Sequence, residues 1–268
     1  MTFSIAEGHE EKVDGKLKLR VVEQLAAMCA SGRAGYFVLI DPDKWALAQL
    51  AEIAAAASEG GADAILIGGS LILGSNFDEM VRVIRAAAQV PCIIFPGSVM
   101  QISKHADAIL FLALISGQNP NYLIGEQIKA APLIHHLGLE AIPTGYMLIE
   151  SGRVTSAEFM SNTRPIPRDK NDIAKATALA AQYLGMKLVY LEAGSGAQHP
   201  VALEMISAVA NYVTIPLIVG GGIRTPERAA QCVTAGASFV VTGNVLEHDN
   251  GQTLIREFAD AIHGAKRT

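Results

Sequence analysis

A glutamate stands at the end of a strongly apolar stretch of the chain. Glu192 follows Leu188-Val189-Tyr190-Leu191 and precedes the small residues Ala193-Gly194-Ser195-Gly196. A carboxylate beside a buried strand costs desolvation free energy unless it is paired or takes part in chemistry. Glu192 is therefore a candidate catalytic residue. The alternative is a structural ion pair with a lysine or arginine of a nearby loop.

Two glycine clusters follow apolar runs nearer the C-terminus, Gly220-Gly221-Gly222 and Gly243-Asn244. Glycine lets backbone N–H groups approach an anion closely. In α/β barrels the loops after strands seven and eight, with the start of the next helix, commonly bind phosphate. Thr225-Pro226 has the sequence of such a helix start. The pattern predicts a phosphorylated ligand but not a reaction; alternatively, the glycines only turn the chain out of a strand.

Oxygen ligands follow the first two apolar runs, in Asp41-Pro42-Asp43-Lys44 and in Gly68-Gly69-Ser70. The carboxylate of Asp41 and the hydroxyl of Ser70 could together hold Mg²⁺, which prefers oxygen. Alternatively, Asp-Pro-Asp only caps a helix. The chain has neither a G-x-x-x-x-G-K-[ST] loop nor a G-x-G-x-x-G fingerprint after a strand, so those two kinds of nucleotide site are not predicted.

Eight short apolar runs, most of them followed by polar turns and alanine-rich segments, position these residues. Continuous runs of this kind are typical of parallel strands buried on both faces. Eight is the strand count of a closed (β/α)₈ barrel of the TIM type, the α/β fold that we predict; an open, doubly wound sheet is the alternative. The predicted strands are 36–40, 64–67, 92–95, 108–112, 140–143, 188–191, 215–219 and 239–242.

The spacing of the runs is interrupted twice. Between the third and fourth runs there is room only for a short third helix, over about 99–105. After the fifth, the polar segment 151–170 predicts an inserted loop or hairpin. We expect residues 1–16 to be loosely ordered and residues 17–268 to form a single barrel domain. Further helices are predicted over 17–30, 46–58, 77–88, 172–184 and 226–235.

The composition fits one large α/β domain. Of 268 residues, 50% are hydrophobic, and 21 basic against 26 acidic residues give a net charge of −5. This excludes intrinsic disorder, and an acidic chain lacks the basic field of a nucleic-acid-binding protein. No apolar run reaches the roughly 18–20 residues of a membrane span. With a polar N-terminus unlike a signal peptide and three dispersed cysteines, a cytoplasmic protein with buried thiols is expected.

In order along the chain, the residues at the ends of these runs resemble geranylgeranylglyceryl phosphate synthases. The resemblance extends from about residue 36 to residue 246, and the heptapeptide 190–196 is its most specific element. Heptaprenylglyceryl phosphate synthases share much of the pattern, and the extended N-terminus and region 144–170 are more similar to the second of the family's two groups. The other matching elements are 39–44, 68–70, 119–122, 144–146, 220–223 and 243–244.

The resemblance implies transfer of a prenyl group to a glycerol phosphate. The family joins the C3 hydroxyl of sn-glycerol 1-phosphate to C1 of an allylic prenyl diphosphate, here expected to be geranylgeranyl diphosphate. An ether forms and diphosphate leaves, with Mg²⁺ as cofactor. A homo-oligomer is also implied, without nucleic acid as a partner. The lipid substrate is compatible with transient membrane contact.

Functional roles follow from the resemblance position by position. Glu192 matches the catalytic base, and Asp41 and Ser70 match the metal positions. The positions that match glycerol 1-phosphate binding are Tyr190, Leu191, Glu192, Ala193, Gly194, Ser195, Gly196, Gly220, Gly221, Gly222, Gly243 and Asn244.

Prenyl diphosphate binding is assigned on chemical grounds. Lys44 is expected to stabilise the negative charge that gathers on the leaving diphosphate. An apolar groove for the prenyl chain could be formed by surface side chains, although ordinary core packing would explain the same residues. The candidates are Tyr122 and Tyr146, with Ile115, Leu123 and Ile124.

Other functions share part of this pattern. A phosphosugar isomerase or lyase would use the same phosphate loops, with paired acids or a Schiff-base lysine, and would need neither prenyl substrate nor Mg²⁺. A non-catalytic phosphate-binding paralogue would bind without turnover; the presence of Asp41 and Glu192 argues against it. Another prenyl chain length, heptaprenyl included, stays open.

Overall fold

A computed structural model of the chain describes residues 12–13, 16–17, 20–74, 76–243 and 251–267. Among them, eight parallel strands pair side by side and the last pairs with the first, so the sheet closes into a barrel. The predicted (β/α)₈ fold is confirmed and the open sheet is wrong. The strands are β1 (Gly35–Ile40), β2 (Ala64–Ile67), β3 (Cys92–Ile94), β4 (Ala108–Leu114), β5 (Glu140–Leu148), β6 (Leu188–Glu192), β7 (Leu217–Gly220) and β8 (Phe239–Thr242).

Helices surround the barrel, and none in the described part of the chain is long and apolar enough to cross a membrane. The helices predicted over 46–58, 77–88, 172–184 and 226–235 are confirmed within two residues. The α-helices of the described residues are α1 (Val21–Ala30), α2 (Leu47–Glu59), α3 (Phe77–Ala87), α4 (Glu126–His136), α5 (Ser156–Ser161), α6 (Asn171–Tyr183), α7 (Leu203–Ala210), α8 (Pro226–Thr234) and α9 (Gly251–Gly264).

The short third helix predicted over 99–105 is wrong, because this segment forms turns. Ser98 and Ser103 accept hydrogen bonds from the backbone N–H groups two residues further on. Such local bonds compete with helix formation. In addition, Nε2 of Gln101 donates to the carbonyl oxygen of Gly69 at 2.8 Å. The segment is therefore tied to the loop after β2 instead of forming a helix.

The insertion after β5 is confirmed, but it is not a hairpin. It contains α5 and meets the barrel through one parallel bridge between Ile149 and Ile166. The strand itself is also longer than predicted, because it pairs with β4 and β6 as far as Leu148. Thr144 and Tyr146 therefore lie within β5, not in the loop that follows it.

Helix α1 closes the amino-terminal end of the barrel. The helix start predicted at residue 17 is wrong: Lys16–Leu17 pairs with Lys12–Val13 in a short antiparallel ribbon, and the rest of 1–16 lies outside the described residues. The carboxylate of Glu140 accepts the N–H groups of Val21 at 2.7 Å and Val22 at 3.0 Å. Glu140 thus satisfies two N–H groups that a helix start leaves unpaired.

We expect Glu140→Ala to lower the free energy of unfolding by about 1–3 kcal/mol, because two partly buried N–H groups lose their acceptor. Urea denaturation followed by circular dichroism measures the change. Glu257→Ala, which removes an exposed carboxylate from α9, is the control and should change the free energy by less than about 0.5 kcal/mol. Equal effects of the two substitutions would contradict this role of Glu140.

Alternate residues of each strand point into the barrel, as the pleat requires. Leu188 and Tyr190 of β6 belong to the interior core, whereas their neighbours in the strand pack against the helices. The amino-terminal half of the interior is filled, for example by Phe37 stacked on Phe239 with ring centroids 4.7 Å apart. Inward residues at the carboxyl ends of the strands, such as Glu192, are consequently left to line a cavity.

Candidate active site

A cavity of about 900 Å³ opens at the carboxyl ends of the barrel strands. The loops after β1, β2, β3, β6 and β7 form much of its wall, and an apolar arm reaches side chains of both β4 and α4. The structure thus gathers side chains that are more than 200 residues apart in the sequence. The predicted site residues that line the cavity are Asp41, Lys44, Ser70, Tyr122, Tyr146, Tyr190, Glu192, Gly194, Ser195, Gly196, Gly221, Gly222 and Gly243.

The other predicted residues lie elsewhere. Leu191 and Ala193 pack between the barrel and the helices, because the strand alternation that turns Glu192 inward turns its neighbours outward. Gly220 does not line the cavity, but a Cβ atom there would clash with the Tyr190 hydroxyl oxygen and lie 3.1 Å from Oε2 of Glu192, so this glycine makes room for both side chains. Asn244 lies outside the described residues.

Glu192 is the last residue of β6 and is only 6% exposed. Its Oε1 atom accepts the N–H of Gly194 at 2.6 Å. No lysine or arginine of the described residues contributes to its ionisation, so the ion-pair alternative has no support there. Burial raises the pKa of the carboxyl above its ordinary value, although the Gly194 N–H and the Tyr190 hydroxyl oppose the shift. A raised pKa makes a carboxylate a stronger base near neutral pH.

Three aromatic rings form the floor of the cavity beside Glu192. Phe95 stacks on Tyr190 with ring centroids 5.3 Å apart, and Tyr146 meets both rings edge-on. Burial and the Glu192 charge raise the pKa of both phenols well above the ordinary value, so both stay protonated. The Tyr190 hydroxyl interacts with the Glu192 carboxylate and lowers its pKa, although the contact lies outside strict hydrogen-bond geometry among the described residues.

The glycine loops have backbone conformations that favour glycine. Gly194, Gly221 and Gly222 have φ angles of 95°, 84° and 70°. Beyond them, Thr225 caps α8 by accepting the N–H of Arg228 at 3.2 Å, and Pro226 occupies the first turn, which confirms the predicted helix start. Loops of this conformation expose backbone N–H groups to a bound anion.

Asp41 does two things at once. Its Oδ1 atom accepts the N–H of Asp43 at 3.3 Å and so caps a turn of 3₁₀ helix, as the alternative interpretation held. The same carboxylate lies in the cavity wall, where a Cβ atom on Gly69 would be 3.1 Å from it. Ser70 lines the same wall. No cluster of three or more His, Cys, Asp or Glu side chains was found in the described part of the chain.

The apolar arm has a different lining from the groove that we predicted. Leu123 and Ile124 are exposed on a turn of π-helix that precedes α4, and Ile115 packs in the outer core. The π-turn directs Tyr122 to the cavity instead, and Gln127 holds the turn by donating to the Tyr122 carbonyl at 3.0 Å. The apolar side chains that line the arm include Phe77, Ile102, Ile109, Phe111, Leu112, Ala130 and Ile134.

Three polar residues of the site were missed by the sequence analysis. Arg224 lines the cavity, and its Nη2 atom donates to the Ala197 carbonyl at 2.7 Å. The guanidinium of Arg153, from the insertion, lies against Gly196, and Gln101 lines the wall near β2. Only Arg224 could have been predicted from the sequence, because it closely follows the glycine cluster 220–222. Arg153 and Gln101 come from segments that only the fold brings to the site.

Comparison with known proteins shows the family of the chain. Residues 29–262 match the PcrB family. The chain belongs to the PcrB family. It is 47% identical over 236 residues to the geranylgeranylglyceryl phosphate synthase of Chitinophaga pinensis, an alignment that covers 88% of this chain and 93% of that protein. The synthase of Thermococcus kodakarensis is 46% identical over 229 residues, 85% of this chain and 90% of its own length.

A solved structure extends the similarity of this PcrB-family chain to three dimensions. The (S)-3-O-geranylgeranylglyceryl phosphate synthase of Thermoplasma acidophilum, in complex with its substrate sn-glycerol-1-phosphate, aligns with a TM-score of 0.88 and 36% identity. The alignment covers 92% of this chain and all of that one. The resemblance inferred from the residues at the strand ends is confirmed.

Proposed function

We propose that the protein is a prenyltransferase that joins the C3 hydroxyl of sn-glycerol 1-phosphate to C1 of an allylic prenyl diphosphate, with geranylgeranyl diphosphate as the donor. One observation carries the proposal. Glu192, buried and without a basic partner in the described residues, stands between glycine loops suited to a phosphate and an arm suited to a hydrocarbon chain. The relatives named as geranylgeranylglyceryl phosphate synthases support the same reaction.

Glycerol 1-phosphate would occupy the side of the cavity formed by the loops after β6 and β7 and by Gly243, which follows β8. Backbone N–H groups of Gly221 and Gly222, at positive φ, are suited to the phosphate oxygens. Arg224 adds positive charge at the same end. A phosphate held there would place the glycerol towards Glu192 and Tyr190, which line the cavity between the loops and the aromatic floor.

The prenyl diphosphate would occupy the other side. Its hydrocarbon chain fits the apolar arm between β4 and α4, and its diphosphate would lie near Lys44, Asp41 and Ser70 at the ends of β1 and β2. Lys44 supplies a positive charge for the leaving group. The two substrates would then meet above the aromatic floor, with the reacting carbon held away from water.

The donor set at Asp41 and Ser70 fits Mg²⁺. This ion is commonly held by one or two carboxylates together with phosphate oxygens of the substrate and water, and one carboxylate with one hydroxyl matches that pattern. Gly69, beside Asp41, leaves the space next to the carboxylate unfilled. When bound, Mg²⁺ would neutralise charge that develops on the diphosphate.

The chemical step needs a base. The bond between C1 and the diphosphate oxygen breaks with its electron pair going to diphosphate, and the C3 oxygen of glycerol phosphate bonds to C1. The C3 hydroxyl must then lose its proton, and Glu192 is the carboxylate in position to accept it. Tyr190, which stays protonated and lies beside the Glu192 carboxylate, can orient the same hydroxyl.

The direct test is an assay of the purified protein with sn-glycerol 1-phosphate, Mg²⁺ and a series of prenyl diphosphates, with the products sized by mass spectrometry. We expect an ether of mass equal to glycerol phosphate plus the prenyl group, with the highest rate for the geranylgeranyl donor. Preference for a longer donor would correct the chain length. Turnover of a phosphosugar without any prenyl donor would contradict the proposal.

We also propose that the protein forms a homo-oligomer, as the family resemblance implies. Helix α4 exposes Ile128 and Leu133, and Ile124 precedes them on the π-turn. Burial of apolar side chains from a helix face against a second copy would stabilise an assembly. Light scattering after size-exclusion chromatography measures the mass; a monomer at micromolar concentration would contradict the proposal.

Gly222→Val should weaken binding of glycerol 1-phosphate by about tenfold or more, because the new side chain enters the phosphate loop and disfavours its φ of 70°. A Cβ atom there would lie 3.1 Å from that of Ala197. Calorimetry measures the affinity. The control is Gly185→Val, which has a similar φ of 83° but no atom within 4 Å of the added Cβ. Unchanged affinity in the Gly222 variant would place the phosphate elsewhere.

A further inference from the structure

Six exposed apolar side chains line the cavity or the shallow depression next to it, and we call this group the apolar rim. Leu73 is 84% exposed, Met100 81% and Phe159 77%, although side chains of these types are usually buried. Single exposed apolar residues are common, but a contiguous group marks an interaction surface. The apolar rim consists of Leu71, Leu73, Met100, Val154, Phe159 and Met160.

The apolar rim is continuous with the cavity. Leu71, Leu73, Met100 and Met160 line the cavity itself. Leu71 and Met160 also line a shallow neighbouring depression of about 360 Å³ together with Phe159. An unbroken apolar surface therefore leads from outside the molecule to the arm in which we place the prenyl chain.

Polar contacts of the backbone hold the rim in this exposed position. The Asp43 carboxylate accepts the N–H of Leu73 at 2.5 Å, which fixes the loop after β2. The Tyr122 hydroxyl donates to the carbonyl of Met160 at 3.1 Å, which fixes α5 above the cavity. The rim is thus built from three separate segments that present apolar side chains to the outside, and these two contacts anchor the loop after β2 and the insertion.

Positive charge lies at the same end of the barrel. Lys44 and Arg224 line the cavity, and Arg153 is exposed on the inserted segment next to Val154 of the rim. Three carboxylates, those of Asp41, Glu126 and Glu192, also line the cavity, but they are buried or half-buried, whereas the three basic side chains are exposed. Basic side chains around an apolar patch complement a surface that is apolar inside and carries phosphate headgroups outside.

We propose that the apolar rim inserts into the surface of a phospholipid bilayer and places the mouth of the cavity against the headgroups. A partner protein bound to the rim would close the cavity to its substrates. The apolar interior of a bilayer would instead continue the apolar surface of the rim. A prenyl diphosphate could then enter, and the ether lipid could leave, without crossing water. The purpose of the contact rests on the proposed function, but the contact itself depends only on the rim.

The test is sedimentation with phosphatidylcholine vesicles, with and without phosphatidylglycerol, and with no substrate present. The wild-type protein should bind, more tightly to the anionic vesicles. Phe159→Ser should weaken binding roughly tenfold, because one aromatic side chain is no longer buried in the bilayer surface. Tyr183→Ser is the matched control: Tyr183 is 79% exposed, but it lies at the end of α6, which leads to the amino-terminal end of β6, away from the mouth.

The outcomes separate this proposal from the proposed function. Loss of binding in the Phe159 variant alone supports the proposal, whether or not the protein transfers prenyl groups. No binding of the wild type, or equal loss in both variants, overturns it. The proposal is also overturned if the wild type does not bind vesicles and the Phe159 variant has a different mass by light scattering. That result would indicate that a second copy of the chain covers the rim.

Discussion

Replacing Glu192 with glutamine should lower kcat by about 10²-fold or more, since general-base assistance typically contributes about 10²–10⁴-fold. Glutamine has nearly the same shape and can still accept the N–H of Gly194, so both substrates should bind with little change in affinity. The loss would therefore fall on kcat and not on KM. Steady-state kinetics with glycerol 1-phosphate and geranylgeranyl diphosphate measures the effect.

Two further variants sharpen this result. Glu192→Asp keeps the carboxylate about one methylene short and should retain part of the activity. Glu126→Gln changes a second glutamate of the cavity wall, which pairs with Lys129 at 2.7 Å, and should stay within a few-fold of the wild type. A kcat of the Glu192→Gln variant within a few-fold of wild type would make Glu192 a structural residue.

The same substitution should stabilise the fold at neutral pH. Because burial raises the pKa of Glu192, the folded protein holds its proton at pH values where the unfolded chain has lost it. Wild-type stability therefore falls as the pH rises from the ordinary pKa of 4.5 through the raised one. Glutamine does not titrate, so the variant does not lose this stability as the pH rises. The free energy of unfolding that the wild type loses is about 1.4 kcal/mol for each pKa unit between the folded and unfolded states. Thermal unfolding of both proteins should agree at pH 4 and diverge above it.

Asp41→Asn should reduce turnover by about 10²-fold, because even loss of an outer partner of a metal ligand typically costs about 10- to 100-fold. Asparagine is as good a cap as aspartate, so the turn at Asp43 and the melting temperature should be preserved. The concentration of Mg²⁺ that gives half-maximal rate should rise, a response that a capping role alone would not produce. Kinetics across a magnesium titration measures both quantities.

Asp43→Asn is the control for this experiment. It is the same substitution two residues away, in a carboxylate that binds the loop after β2 and does not line the cavity. We expect a smaller loss of activity and no change in the magnesium requirement. A loss in Asp41→Asn that is confined to the melting temperature, with turnover per folded molecule preserved, would leave capping as the role of Asp41.

The sequence predicted the fold well where buried strands leave a strong pattern. Strands buried on both faces must be apolar throughout, and eight such runs indicate a barrel directly. Prediction failed where polar side chains compete for the backbone: Ser98 and Ser103 replace the expected third helix by turns. It also failed at Leu17, because α1 begins where Glu140 meets it, and that contact spans more than 100 residues.

The residues of the site, like the elements of the fold, could be predicted from the sequence only in part. The order of residues along the chain specifies which residue types follow each strand, and parallel strands bring those ends to one edge of the barrel. The acid Glu192, the glycines after β6 and β7 and Asp41 were all found there. Which of these side chains face one another depends on the fold. Strand alternation turned Glu192 inward and Leu191 outward, a π-turn chose Tyr122 over Leu123, and folding of the insertion brought Arg153 to Gly196. These contacts depend on packing between distant segments, for which a single chain read in order carries no signal.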